Sequence, residues 1–478
     1  MFNMRRRLES SLSHRTCRKL SVSRRLGIVG LLGGLGLVAV LVGASTGFAQ
    51  ARDHASSVTI KIAIESNSNM ANIEKLTPEF EKLNPGINVV YDSLNENNER
   101  ALVETDVSTH ANEFNAVMIS NYETPIWAKN GWLVNLTPAL TADTSYDIND
   151  LLKPIRNALT YNGGLYSVPF YGESSMVYYR KSMFKAAGLT MPLHPTWKQI
   201  AADAAKLKTS GTAGICLRGE NGWGENLAAL DTVINTGGGS WFNTSWQPQL
   251  TSPADEAAVN FYVNLVRADG EPGASQDGFT QCEALYGEGK AAMWYDATVA
   301  AGLIATAYPS ISADTGYAYA PTGTATGATG VPSGWLYTWS LSIPTGSPNQ
   351  AATLKWLEWA TGKQYIAYSG PKIGWANIDP GTRTSTYALP QYKQAAGAFA
   401  GITLASINGA NPNHPTDANV NIPYTGVQFV DEPWFINLGT QVSNNISAAI
   451  AGTQNVSQAL ATSQSQATTA VKQAGLLK

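Results

Sequence analysis

The sequence predicts an α/β protein that folds into two lobes, and two observations carry this prediction. Short apolar runs typical of strands alternate along the chain with longer segments of helical periodicity. Such alternation is typical of parallel sheets whose faces are covered by helices. In addition, residues 52–478 alone exceed the roughly 250–300 residues at which a single hydrophobic core usually stops growing.

The first lobe is predicted to open with three strands. Alternating apolar residues predict strands over 58–64, 87–91 and 116–119. Helices are expected between them, one ending near Leu83 before the Pro85-Gly86 turn and one over 97–108.

The segment 164–199 organises the rest of the chain. Strands are predicted over 165–170 and 176–179, separated by the polar residues 172–175. A short helix follows, with Ser182 as its predicted N-cap and Gly188 as its end. Thr196 and Gln199 then have the spacing of a capping box, which predicts a helix that ends near Leu207.

Further strands are predicted over 214–217, 291–294, 316–320 and 336–343, and a helix over 350–361. The tail, 422–477, passes through an aromatic loop into helices rich in Ala, Ser and Gln.

The first 51 residues have the order of a secretory signal. A basic leader precedes an uncharged run over 26–42, and small residues follow it. This order predicts export to the periplasm, with cleavage near Ala49 or Ala51. An uncleaved anchor helix is the alternative, because the apolar run is somewhat long. The sequence does not decide between Sec and Tat export.

Charge and motifs exclude several classes of function. Without residues 1–51 the chain keeps 24 basic and 34 acidic residues, a formal charge of −10, and it has no basic cluster. Nucleic acid is therefore not expected as a partner. The four histidines outside residues 1–51 are widely spaced, and the sequence lacks a phosphate-binding loop, so no metal and no cofactor are predicted. Cys216 and Cys282 would meet an oxidising compartment after export, and either a disulfide or two separate buried thiols fits.

Ligands of open α/β sheets bind outside the carboxyl ends of the strands. The predicted strand ends carry aromatic rings beside carboxylates, amides and one guanidinium, a mixture that suits a neutral ligand with many hydroxyl groups. Each of these side chains could instead be a core aromatic residue, a helix cap or a surface ion pair. The candidates are Asn67, Glu123, Tyr171, Glu173, Arg218, Trp294, Asp296 and Trp335, together with Trp223 in a glycine-bounded loop.

The segment after the predicted crossover resembles the signature of the extracellular solute-binding proteins of ABC importers, the family that includes maltose-binding proteins. The matching positions are Tyr179-Arg180-Lys181, Phe184, 187–189 (AGL) and Thr196-Trp197. The resemblance implies a two-lobed periplasmic binding protein fold of type II, with a mainly parallel sheet in each lobe and the ligand between them. It places 52–170 and 320–365 in the first lobe, and 171–319 and 366–478 in the second.

Within that family the chain is similar to the sorbitol- and mannitol-binding branch. The similar segments are 169–181, 214–226, 293–301, 333–344 and 423–435. The likeness implies a linear polyol ligand, an ABC permease as partner, and a monomer that binds without catalysis. It also brings Glu173, Arg218, Trp223, Asn226, Asp296, Trp335 and Gln428 into the site. Residues 65–69 depart from the branch's pattern at this position, so the contacts from the first lobe stay open.

Three alternatives compete with polyol capture. The ligand could be a mono- or oligosaccharide, as elsewhere in the family. The protein could serve chemotaxis alone. A secreted carbohydrate-active hydrolase would need two suitably spaced carboxylates, which any chain of this length contains. Beyond residues 1–51 the sequence lacks the Gly-x-Ser-x-Gly and His-Glu-x-x-His motifs of other hydrolases.

Overall fold

The computed structural model of the chain describes residues 57–324, 330, 332–416 and 421–477. The predicted leader and its cleavage site lie outside the described residues, so export stays a prediction. Among the residues described, no helix combines the length and the apolar character that a bilayer span requires.

The strands of the described residues account for most of the short apolar runs in the sequence. They are β1 (Val58–Glu65), β2 (Ile87–Leu94), β3 (Ala116–Ser120), β4 (Thr160–Tyr161), β5 (Gly164–Leu165), β6 (Val168–Glu173), β7 (Ser175–Arg180), β8 (Met293–Ala297), β9 (Thr315–Tyr319) and β10 (Tyr337–Ser342).

The α-helices lie between and after these strands, and short 3-10 turns connect some of them. They are α1 (Ser68–Leu83), α2 (Glu96–Thr109), α3 (Glu123–Lys129), α4 (Thr137–Ala142), α5 (Lys153–Ala158), α6 (Lys181–Ala186), α7 (Trp197–Leu207), α8 (Asn226–Thr236), α9 (Pro253–Asp269), α10 (Phe279–Gly287), α11 (Ala300–Ala307), α12 (Pro309–Asp314), α13 (Gln350–Ala360), α14 (Lys363–Ile373), α15 (Pro390–Ala396), α16 (Ala400–Gly409), α17 (Phe435–Ala451) and α18 (Val456–Gln473).

The first sheet has the strand order β2-β1-β3-β10-β6. β1 pairs in parallel with β2 and β3, whereas β10 runs antiparallel to both β3 and β6. The mainly parallel sheet predicted for the first lobe is therefore confirmed. The carboxyl ends of β1, β3 and β6 and the start of β10 meet at one edge.

The second sheet has the order β8-β7-β9, and both of its strand pairs are antiparallel. The prediction of a mainly parallel sheet in the second lobe is wrong in this respect. β7 brings the chain into this lobe and β9 takes it out, so the two strands run in opposite directions. They pair side by side and are therefore antiparallel. Outside the first sheet, parallel pairing among the described residues consists of three isolated bridges, Ala213 with Ala291, Cys216 with Trp294 and Thr196 with Thr322.

Predictions from local sequence are confirmed at the start of α7 and are wrong at two other places. Thr196 accepts a hydrogen bond from the Gln199 amide at 3.2 Å and begins α7 as predicted. Ser182, by contrast, lies inside α6, because its hydroxyl and amide bond Asp314 instead of capping the helix. The segment 214–217 is not a strand, because it pairs only through the isolated bridge at Cys216.

The lobe boundaries stay a prediction, although contacts of the 379–383 segment bear on them. Asp379 accepts a hydrogen bond of 2.7 Å from Asn69 of α1, and Arg383 bonds the Tyr146 carbonyl at 2.8 Å. Gly381, with φ +73°, lies so close to β6 that a Cβ there would be 2.0 Å from the Gly172 carbonyl oxygen. This part of 366–478 therefore packs against elements assigned to the first lobe.

Candidate functional site

A cleft lies between the two sheets, where the carboxyl edge of the first sheet faces the start of β7 and the end of β8. Its walls combine aromatic rings with carboxyl, amide and guanidinium groups. They consist of Glu65, Asn67, Glu96, Tyr171, Glu173, Arg218, Trp223, Gly224, Ala228, Phe279, Ala297, Val299, Trp335, Tyr337, Trp339 and Gln428.

The cleft brings together most of the candidates taken from the sequence. Those in its wall are Asn67, Tyr171, Glu173, Arg218, Trp223, Trp335 and Gln428. The other candidates, Glu123, Asn226, Trp294 and Asp296, are buried and absent from the wall.

Asp296 and Trp294 fix the position of Arg218. The guanidinium donates to both Asp296 carboxylate oxygens, at 2.9 and 2.7 Å, and the Trp294 indole N–H donates to the same carboxylate at 3.1 Å. Asp296 is fully buried. Arg218 also donates to the Gly224 carbonyl oxygen at 2.9 Å and packs its guanidinium 5.1 Å from the Phe279 ring centre. With five N–H groups available, one on Nη2 keeps no partner among the described residues.

A disulfide anchors the segment that carries Arg218. Cys216 and Cys282 are bonded, with their Cα atoms 5.7 Å apart, and this joins the segment before Arg218 to α10. Of the two arrangements that the sequence left open, the structure has the disulfide. Asp277 lies beside the two sulfurs, which as a disulfide offer no thiolate to a metal.

Glu123 belongs to a second buried cluster, centred on Arg100. The Arg100 guanidinium donates to Glu123 at 2.7 Å and to Glu96 at 2.9 Å, and it also bonds the Tyr337 hydroxyl. The second Glu123 oxygen accepts from the amide and hydroxyl of Ser120 at the end of β3. Glu123 therefore serves to neutralise Arg100 and does not face the cleft.

Asn67 links three elements at the first-lobe wall. Its side-chain oxygen caps α1 by accepting from the Met70 amide at 2.9 Å. Its Nδ2 donates to Glu65 at 2.9 Å and to the Tyr171 hydroxyl at 2.9 Å. Asn226 has a comparable role in the second lobe, where its oxygen accepts from the Ser443 hydroxyl at 2.7 Å and ties the start of α8 to α17.

Two residues of the cleft wall each carry a buried polar atom that has no hydrogen-bond partner in the described part of the chain. These atoms are the Trp335 indole nitrogen and the Gln428 side-chain oxygen, on residues that are 1% and 3% exposed. Glu173 is 6% exposed, and within the same part of the chain no side chain bonds its carboxyl group. Each such atom lacks a bond that a ligand could supply.

Burial controls the charge of the acidic groups. It raises the pKa of Glu65 to about 8, helped by the negative charge of Glu96. The same two causes raise the pKa of Glu225, behind Arg218, to about 8. Burial also raises the pKa of Glu173 well above its usual range, against the opposing effect of Arg218. The raised pKa values favour the protonated forms of Glu65 and Glu225, in which each can donate a hydrogen bond as well as accept one.

Several wall residues were missed by the sequence analysis. Tyr337 and Trp339 lie on one face of β10, two positions apart, and could have been found from the period of that strand. Glu96 lies at the start of a helix of mixed polar residues and shows only an i,i+4 spacing with Arg100. Phe279 gives no signal that distinguishes it from a core aromatic residue.

Comparisons with known proteins agree with one another. The model of the bacterial extracellular solute-binding protein family matches residues 64–367. A mannitol-binding protein from Pseudomonas aeruginosa is 40% identical over 423 residues, which cover 88% of this chain and 94% of that protein.

Solved structures show the same fold. An ABC transporter solute-binding protein from Agrobacterium vitis, crystallised with bound D-mannitol, has a TM-score of 0.84 and 45% identity, over 87% of this chain and 99% of that chain. A second such protein, from Agrobacterium radiobacter in complex with ribitol, has a TM-score of 0.74 over 86% of this chain and 98% of its own. At 21% identity this second likeness bears on the fold alone. The predicted two-lobed α/β fold is confirmed.

Proposed function

This chain belongs to the family of bacterial extracellular solute-binding proteins, and we propose that it captures a linear polyol such as mannitol, sorbitol or arabitol for an ABC importer. One relative, 40% identical, is a mannitol-binding protein, and another, 45% identical, holds D-mannitol. These similarities support a polyol as the ligand. Which polyol binds depends on the contacts that the cleft offers.

The observation that carries the proposal is the set of buried polar atoms without partners. Leaving such an atom unpaired costs roughly 1–3 kcal/mol. The Trp335 N–H can only donate and the Gln428 side-chain oxygen can only accept. A hydroxyl group both accepts and donates, so a chain of hydroxyl groups could satisfy both atoms and the Glu173 carboxyl group together.

The charges of the cleft favour a neutral ligand. Arg218 is neutralised by Asp296, and Arg100 by Glu96 and Glu123. Neither cation is therefore left to attract an anionic substrate. The aromatic faces of the wall can pack against the C–H groups of a carbon chain while its hydroxyl groups meet the polar ends.

Delivery to a permease follows from this function. Closure of the two lobes over the ligand would bury it and create the surface that the membrane subunits recognise. We propose that the protein is exported with its leader removed, works as a monomer, and binds its ligand without converting it.

Isothermal titration calorimetry tests the proposal. The exported form should bind at least one of D-mannitol, D-sorbitol and D-arabitol saturably with one site per chain, and should give no binding heat with maltose or glucose. Tighter binding of maltose or glucose would contradict polyol capture in favour of a saccharide ligand. Release of free sugar from mannosides would contradict binding without catalysis.

A further inference from the structure

Two segments from different lobes meet beside the cleft. The first is the start of α2, which packs against β1, β2 and β3 of the first sheet. The second is the loop 218–225, which follows the segment bridged to β8 of the second sheet. Asn97 of α2 donates a hydrogen bond to the Asn221 carbonyl oxygen at 3.2 Å, so the two segments touch directly.

Arg100 of α2 lies at the centre of this contact. Its guanidinium carbon is 4.4 Å from the ring centre of Trp339 on β10 and 4.4 Å from that of Trp223 in the loop. The guanidinium group therefore lies between one indole from each lobe, an arrangement that favours a planar cation. Tyr122, after β3, adds a first-lobe ring 5.1 Å from Trp223.

Arg100 makes a different kind of contact with each lobe. Among the described residues, its ion pairs and hydrogen bonds, to Glu96, Glu123 and Tyr337, lie within the first lobe. From the second lobe it is the ring of Trp223 that lies against the guanidinium group. The charge thus stays neutralised whether or not the second lobe is present, and approach of that lobe adds a flat stacking contact without a new ion pair.

The loop backbone comes closer to α2 than a larger residue would allow. A Cβ on Gly224 would lie 2.1 Å from a Glu96 carboxylate oxygen, and one on Gly222 would lie 2.6 Å from the Asn97 side-chain oxygen. Gly222 also has φ +142°, a conformation that other residues rarely adopt. The backbone conformation of Gly222 therefore favours glycine, and a side chain at either position would have to displace the end of the Glu96 or Asn97 side chain on the first turn of α2.

We propose that Arg100 is a positioning residue that holds the cleft closed over its ligand, an inference that rests on the proposed function. Arg100 is absent from the cleft wall, so it acts through Trp223 and not through the ligand. The stacked guanidinium stabilises the closed arrangement of the lobes and slows their opening. Ligand release, which requires opening, becomes slower in proportion.

This role predicts an effect that a ligand contact would not give. Arg100 also bonds Glu96 and Tyr337 of the cleft wall, so the test needs a substitution that keeps a cation beside Glu96 while it weakens the stack. The affinity for every polyol should then fall by the same factor. The ratio of the affinities for D-mannitol and D-sorbitol should stay constant. A residue that touches the ligand would instead alter that ratio, because the two polyols differ in the orientation of a hydroxyl group.

Arg100→Lys tests the inference, because lysine keeps a positive charge for Glu96 and Glu123 but lacks the planar group. Stopped-flow fluorescence with D-mannitol should give dissociation about tenfold faster, equivalent to about 1.4 kcal/mol, with association within twofold of wild type. Asn97→Ala, which removes an exposed contact between the same segments, should change dissociation in the same direction by about twofold.

Arg180→Lys is the matched control. Arg180 pairs with Asp314 at 2.8 Å within the second lobe, so the same substitution there should leave dissociation unchanged. Equal dissociation from Arg100→Lys and wild type, or an altered ratio between the two polyols, would overturn the inference alone. Failure of the wild-type protein to bind any polyol would overturn the proposed function and this inference with it.

Discussion

Gln428→Leu should weaken polyol binding without weakening the ligand-free protein. The Gln428 side chain is 3% exposed and its oxygen has no partner in the described part of the chain. Leucine is apolar and one heavy atom smaller, and it removes the unpaired oxygen. The ligand-free protein should therefore melt at the same temperature as wild type or higher, because a buried polar group without a partner is destabilising.

The loss in binding follows from the hydroxyl group that leucine leaves without a partner. That loss is roughly 1–3 kcal/mol, or a Kd about fivefold to about 150-fold higher for D-mannitol. Calorimetric titration measures the affinity, and thermal unfolding without ligand measures the stability. Opposite signs of the two changes distinguish a ligand-binding group from a structural one.

Gln464→Leu provides the control. The Gln464 side-chain oxygen is also buried without a partner in the described part of the chain. The Gln464 amide nitrogen, however, donates to the Pro248 carbonyl oxygen, away from the cleft. Its replacement should leave the D-mannitol affinity unchanged. The reasoning fails if Gln428→Leu binds D-mannitol within twofold of wild type, or if the ligand-free variant melts well below wild type.

Three further predictions concern pH, the buried ion pair and the disulfide. Folding raises the pKa of Glu65 from 4.5 to about 8, so the folded state holds a proton that the unfolded state has released. Stability should fall as pH rises between these values, and thermal unfolding of Glu65→Gln across that range should show a smaller fall. Asp296→Asn leaves the buried Arg218 guanidinium without its carboxylate, which should cost about 3–5 kcal/mol in urea unfolding and abolish D-mannitol binding; a stable variant with wild-type affinity would contradict this. Replacing Cys216 and Cys282 by serine opens a link across 66 residues, which should lower the unfolding free energy by about 4 kcal/mol; an unchanged urea midpoint would show that the link contributes nothing.

Much of the fold could be predicted because its strands are bounded by local signals. β1 begins at Val58 and α1 ends at Leu83 where the apolar alternation and the Pro85-Gly86 turn indicate. Strand direction in the second lobe could not be predicted, because it depends on β7 pairing with β8 and β9 more than a hundred residues away. The sequence also could not show that 214–217 pairs only through an isolated bridge at Cys216 and therefore forms no strand.

The sequence predicted which residues come together better than it predicted what each of them contacts. The rule that ligands bind at strand ends brought Glu173, Arg218 and Trp335 to one cleft. The same rule could not distinguish Asp296, which holds Arg218 from behind, from a residue of the wall, because both lie at the same sheet edge. Arg100 was missed because its proposed positioning role depends on a contact with Trp223, which is distant in the sequence.

A crystal structure of the exported protein with D-mannitol tests the central claim most directly. The polyol should lie between the two sheets, with its hydroxyl groups within hydrogen-bond distance of the Trp335 indole nitrogen, the Gln428 side-chain oxygen and the Glu173 carboxyl group. A cleft that stays empty in saturating D-mannitol, or a polyol bound with those three groups still unpaired, would contradict the account.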